Sequence, residues 1–98
     1  MIRVTFFIDR GEESESYVEQ TFLPLLRELP ELRRIEAARV LASATGEVRA
    51  RFLIDLLFDD EARMNQAFAS AEGRRISREI MNNAGSGIEM VTSESLAG

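Results

Sequence analysis

Ala50-Arg51-Phe52-Leu53-Ile54-Asp55-Leu56-Leu57-Phe58 is the most strongly β-patterned stretch of the chain, and the rest of the fold is placed relative to it. In a pleated strand successive side chains alternate between faces, so Phe52, Ile54, Leu56 and Phe58 share one face and Leu53, Asp55 and Leu57 the other. Upstream, Ser43-Ala44-Thr45-Gly46-Glu47 has the composition of a hairpin connection, and Leu32 to Leu41 reads as the strand that it joins to this one. Downstream, Asp59 is the expected N-cap of a short helix through Phe68. Ser70 is the expected cap of another, in which Ile76, Ile80, Met81 and Ala84 line up and which Gly85 stops. Gly87 to Thr92 alternates Ile88 and Met90 against Glu89 and Val91 as a last strand.

The N-terminal third has the same clarity. Arg3 to Ile8 alternates, with Ile2, Val4, Phe6 and Ile8 on one face and Arg3, Thr5 and Phe7 on the other. Asp9-Arg10-Gly11 breaks the run, and Ser16-Tyr17-Val18-Glu19 fits a capping box. Val18, Phe22, Leu25, Leu26 and Leu29 then form one helical stripe, which is expected to face the sheet. Pro24 lies inside that helix and is expected to kink it, because proline lacks the backbone N–H; Pro30 closes the segment.

The element order is therefore β-α-β-β-α-α-β. With two right-handed crossovers this is the ferredoxin-like split βαβ of the α+β class, a four-stranded antiparallel sheet with helices on one face. At 98 residues the chain is expected to be a single domain over residues 1–98, since so short a chain buries too little surface for two cores. If Val4, Phe6, Phe52, Ile54 and Leu56 meet the helices, the opposite face carries Phe7, Leu53, Leu57 and Val91 among Arg3, Thr5, Arg51 and Asp55. That face is too apolar to be left in water, and a second copy packed by two-fold symmetry would cover it. Arg3, Arg51 and Asp55 either form an ion pair there or remain exposed edge charges.

Composition excludes more than it selects. Seventeen acidic residues against twelve basic ones give a net charge of −5, which would repel a nucleic-acid backbone, and the arginines do not cluster. No stretch approaches the roughly 20 apolar residues of a membrane helix, and the N-terminus lacks the features of a signal peptide, so a cytoplasmic location is expected. There is no histidine, cysteine or lysine. Haem ligation, nitrogen- or sulfur-ligated metal, Schiff-base chemistry and histidine-assisted nucleophiles are thereby set aside, and neither cofactor nor metal is expected. Asp59, Asp60 and Glu61 read as a charged helix start rather than an oxygen-ligated cation site. Gly85-Ser86-Gly87 precedes a strand instead of opening a helix and is not a phosphate loop.

The chain resembles the EthD-like family of the dimeric α/β barrel superfamily over nearly its whole length. The resemblance rests on Met1-Ile2-Arg3-Val4-Thr5, on Tyr17 to Leu29 with Thr21-Phe22-Leu23-Pro24-Leu25 inside it, on Leu32-Arg33-Arg34-Ile35-Glu36, and on the Phe58-Asp59 joint. It implies a homodimeric α/β barrel with a pocket in each subunit, in a superfamily that holds isomerases, cyclases, monooxygenases and haem enzymes. In that family the first helix often reads Thr-His-x-Pro-Leu. Thr21, Pro24 and Leu25 match, but Phe22 stands where the histidine would be, so no acid/base role carries over and no catalytic residue is assigned.

Two functions of different class follow. One is a binding or accessory module for a small apolar ligand; the other is a cofactor-independent isomerase or cyclase acting on a hydrophobic ring. The expected ligand-contacting residues are Tyr17, Phe22, Phe6, Ile8, Phe52, Ile54 and Met81, with Phe22 either filling the core or bounding a dry pocket. A buried carboxylate with a raised pKa, Asp9 or Asp55, is the other acid/base candidate. Polar groups turned into the pocket would favour the enzyme, and purely apolar walls would favour binding.

Overall fold

Alternation of side chains in the three best-patterned strands builds one antiparallel sheet, in a computed structural model that describes residues 1–46, 50–83 and 87–96. Strand β1 (Ile2–Ile8) is central. It pairs on one side with β3 (Phe52–Phe58), Phe6 opposite Ile54, and on the other with β4 (Ile88–Glu94), Phe6 opposite Met90. Strand β2 (Arg34–Arg39) pairs only with β3, so the order is β2-β3-β1-β4 and β2 and β4 are the edges. This is the expected ferredoxin-like arrangement, with α3 (Glu61–Ala69), α4 (Ala71–Asn82) and a first helical segment between β1 and β2.

The core lies where the even-numbered side chains of β1 and β3 meet the helices. Val4, Phe6, Ile8, Phe22, Leu26, Ile54, Leu56, Phe58 and Ile76 have no solvent exposure. Phe6 and Phe22 pack edge to face with centroids 5.0 Å apart, a geometry that adds to plain area burial through the ring quadrupoles.

The first helical segment departs from expectation at both its start and its middle. It opens with a 3-10 turn at Gly11–Glu13, continues as α1 (Ser14–Tyr17), widens into a π turn at Val18–Phe22 and ends as α2 (Leu23–Leu26). Ser16 does not cap it, because its hydroxyl donates backwards to the carbonyl of Glu13. The opening is instead fastened by two neighbours. Asp9 Oδ1 accepts the N–H of Gly11 at 3.0 Å, and buried Ser14 accepts the N–H of Arg10 at 2.7 Å. The π turn explains how Pro24 is accommodated. Proline cannot donate to the carbonyl four residues back and its ring crowds that carbonyl; the N–H of Leu23 bonds the carbonyl of Val18 instead, one residue further back than in an α-helix. The stripe still faces the sheet, with Val18, Phe22, Leu26 and Leu29 buried and Leu25 partly so.

Smaller differences have local causes. The N-cap of α3 is Asp60, whose Oδ1 accepts the N–H of Arg63 at 2.8 Å, whereas Asp59 pairs with Arg33 at 3.1 Å. Ser70 caps α4 as expected, accepting the N–H of Gly73. Gly73 is buried, and a Cβ there would run into the carbonyl oxygen of Ala67 and the backbone of Phe68, which is why α3 and α4 approach so closely. Met81 does not join the apolar stripe: it lies about 100° round the helix from Ile80 and is 74% exposed. The expectations for Ala84 and Gly85, and for the hairpin connection at Glu47, lie outside the described residues.

The helix-free face is as anticipated. Phe7 and Leu53 face each other across β1 and β3, half-buried, and Leu57 is buried between Arg3 and Arg34 in register. Its polar groups pair differently from expectation. Asp55 accepts a hydrogen bond from the Thr5 hydroxyl at 2.6 Å, and Arg51, which precedes β3, reaches Asp9 at 3.4 Å. Among the described residues no ion pair links Asp55 to Arg3 or Arg51. Threonine stands directly opposite Asp55 in the register and satisfies it first.

Candidate functional site

A cavity of about 450 Å³ opens at the end of the sheet where β1 runs out, the first helical segment begins, β2 ends and β3 starts. The chain reaches it by main-chain bonds that outlast the strands: the N–H of Arg51 donates to the carbonyl of Ile8 at 2.8 Å, and the N–H of Val40 to the carbonyl of Arg51 at 2.9 Å. Asp9, Glu12, Ser14 and Glu15 line one side, and Arg39, Val40, Arg51 and Phe52 the other.

Its charges are largely matched internally. Arg39 pairs with Glu15 and Arg51 with Asp9, while Glu12 makes no ion pair among the described residues. The Arg39 guanidinium also sits 5.7 Å from the centroid of Phe52, within cation–π range. Phe52 supplies aromatic surface and Val40 aliphatic surface, so the walls are mixed rather than purely apolar.

Behind the cavity a polar network joins the start of the first helical segment to α4. Arg10, between the cavity residues Asp9 and Gly11, lies over the Tyr17 ring at 4.4 Å and bonds Asn83 Oδ1 through its Nη1. Asn83 Nδ2 donates to Glu79 Oε1 at 3.2 Å, and the Tyr17 hydroxyl donates to the same oxygen at 2.6 Å. Burial first, and then the bond to Glu79, raise the Tyr17 pKa above the ordinary phenol value. Tyr17 is therefore a proton donor held against Glu79, and it does not line the cavity.

The other expected ligand contacts are dispersed. Phe6, Ile8, Phe22 and Ile54 are packed to zero exposure, Met81 is on the surface, and Phe52 alone of the seven reaches the cavity. Phe22 fills the space between sheet and helices, stacking on Tyr17 at 5.7 Å as well as meeting Phe6. Asp9, weighed as a carboxylate candidate, is at the cavity; Asp55 is on the opposite face. Glu12, Glu15, Arg39 and Arg51 were not foreseen there, because the elements that bring them together are distant in the chain. No group of three or more potential metal ligands occurs among the described residues.

Comparison with known proteins places this geometry in a recognised fold. The backbone has the ferredoxin-like fold. It superposes on the crystal structure of an ethyl tert-butyl ether d (EthD) family protein from Bacillus halodurans with a TM-score of 0.83, at 23% identity, covering 98% of this chain and 99% of that one. A dimeric ferredoxin-like protein of unknown function from Jannaschia sp. matches with a TM-score of 0.70 at 19% identity, covering 96% and 98%. In sequence, the chain is 28% identical over 94 residues to an uncharacterised 11.0 kDa protein of the thcB-thcC intergenic region of Rhodococcus erythropolis, covering 93% of this chain and 91% of that protein. No family model matches.

Proposed function

We propose that this chain is an EthD-like domain spanning residues 1–98 that works as a cytoplasmic homodimer and binds one small, mainly apolar organic molecule per subunit, as a binding or accessory protein without cofactor or metal. The observation that carries the reading is the cavity at the end of the sheet, a concave site of ligand size offering Phe52 and Val40 as apolar wall. The helix-free face with Phe7, Leu53 and Leu57 supports the dimer, as does the description of the Jannaschia protein as dimeric. No helix among the described residues is long and apolar enough to cross a membrane, and the net charge of −5 disfavours nucleic acid.

Amide chemical shifts recorded while small ring compounds are added test the site. Perturbations gathered at Gly11, Val40 and Phe52 support it. A screen in which those amides stay still while the core or the helix-free face responds overturns it.

The cofactor-independent isomerase or cyclase is favoured by one observation, the carboxylates of Asp9, Glu12 and Glu15 at the cavity. Against it, Asp9 and Glu15 are held in ion pairs, and Tyr17 is turned to Glu79. Isotope exchange from solvent into a bound ring compound, lost in Asp9→Asn or Glu12→Gln, would support the enzyme over the binding module.

A further inference from the structure

We propose that the cavity selects its ligand by charge, taking a small organic amine and rejecting carboxylates, with the ammonium group at Glu12 and the apolar body against Phe52 and Val40. The proposal rests on the reading of this cavity as the ligand site and adds the chemical class of what enters it.

Among the described residues the lining presents three carboxylates, Asp9, Glu12 and Glu15, against two guanidinium groups, Arg39 and Arg51. Both guanidinium groups already face a carboxylate, Glu15 for Arg39 and Asp9 for Arg51. An incoming anion would have to share a guanidinium with the carboxylate already there and sit beside it, which like-charge repulsion opposes. Asp9 is further restrained because its Oδ1 also holds the N–H of Gly11 at 3.0 Å, the bond that fixes the opening of the first helical segment. Glu12 is different: it lines the cavity and makes no ion pair among the described residues. A cation placed there gains a partner without breaking a pair. Phe52, which already holds the Arg39 guanidinium near its ring, offers a face that favours cationic and apolar groups alike. The chain's net charge of −5 acts in the same direction at long range.

Three probes of nearly equal size separate charge from shape: benzylamine, benzyl alcohol and benzoate, titrated at neutral pH and low salt while amide shifts of Gly11, Val40 and Phe52 are followed. The expected order is benzylamine tightest, benzyl alcohol weaker by about five-fold, the factor that one exposed ion pair contributes, and benzoate weakest. Glu12→Gln, a change at an exposed side chain that should leave the melting temperature unaltered, should bring benzylamine down to the level of the alcohol, and added salt should narrow the wild-type gap. Benzoate binding as tightly as benzylamine, or an amine preference that survives Glu12→Gln, overturns the charge selection while leaving the cavity a ligand site. If none of the three moves the cavity amides, the ligand site itself is wrong, and the selectivity falls with it.

Discussion

The hydroxyl of Tyr17 donates to Glu79 Oε1 at 2.6 Å, fastening the first helical segment to α4 between residues 62 positions apart. Because Tyr17 is the only tyrosine and there is no tryptophan, its ionisation can be read directly from phenolate absorbance. Burial and Glu79 raise its folded pKa above the unfolded value of about 10. The folded state therefore keeps this proton where the unfolded state loses it. The contribution to stability is complete below pH of about 10 and is lost as the pH rises above that value. Alkaline titration should show phenolate appearing together with loss of the circular-dichroism signal. Phenolate formed near pH 10 in a protein that stays folded would contradict the buried hydrogen bond. Tyr17→Phe should remove the alkaline coupling and cost about 1–2 kcal/mol at neutral pH, by leaving Glu79 short of a donor.

Phe22 has no exposed surface and touches both Phe6 and Tyr17. Phe22→Ala should cost about 3–5 kcal/mol, the usual penalty for a cavity left by a deleted core ring. In a domain of this size that is a large part of total stability. Urea melts measure it, and a loss below about 1 kcal/mol would mean that the ring bounds an open pocket rather than filling the core.

The alternation in β1 and β3 was legible because both strands are central and half of each is sealed by helices, so a two-residue period maps directly onto burial. Edge strand β2 was less so: Arg34, Glu36, Ala37, Ala38 and Arg39 are all exposed, leaving little burial for a pattern to record. The start of the first helical segment was missed because Ser14, not Ser16, is the serine that organises the turn, and it does so through the N–H of Arg10 preceding it. A capping-box pattern cannot distinguish that role. The cavity was illegible for a different reason. Its walls come from residues 9–15, 39–40 and 51–52, and their meeting depends on sheet register, which no local window contains.

Leu53 faces Phe7 on the helix-free side. Leu53→Glu should convert the proposed homodimer to monomer, since a charge buried in that contact would lack a partner. Light scattering at micromolar concentration reads the outcome. A wild type that is already monomeric, or a variant that remains dimeric, would place the interface elsewhere.

Gly73 has no room for a side chain because the carbonyl of Ala67 and the backbone of Phe68 occupy the place of its Cβ. Gly73→Ala should therefore destabilise by about 1–3 kcal/mol, the range for overpacking, although alanine normally improves a helix. Thermal melts that show the variant as stable as the wild type would mean that α3 and α4 can separate cheaply.

The order β2-β3-β1-β4 also decides how this chain is exposed to aggregation. Leu53-Ile54-Asp55-Leu56-Leu57-Phe58 is apolar, rich in β-forming residues and carries a single charge, which makes it a segment prone to intermolecular stacking. In the folded sheet it is guarded on one side by β1, deep in the core, and on the other by β2, in which Ile35 is partly buried and every other residue is exposed. Arg34, Glu36 and Arg39 make β2 a poor template for a further strand, so the intact edge is self-limiting. The same polarity means that little burial holds β2 in place. Fraying of that one strand, well short of global unfolding, would uncover the backbone of β3, so colloidal lifetime is expected to follow this peripheral opening rather than the stability of the core.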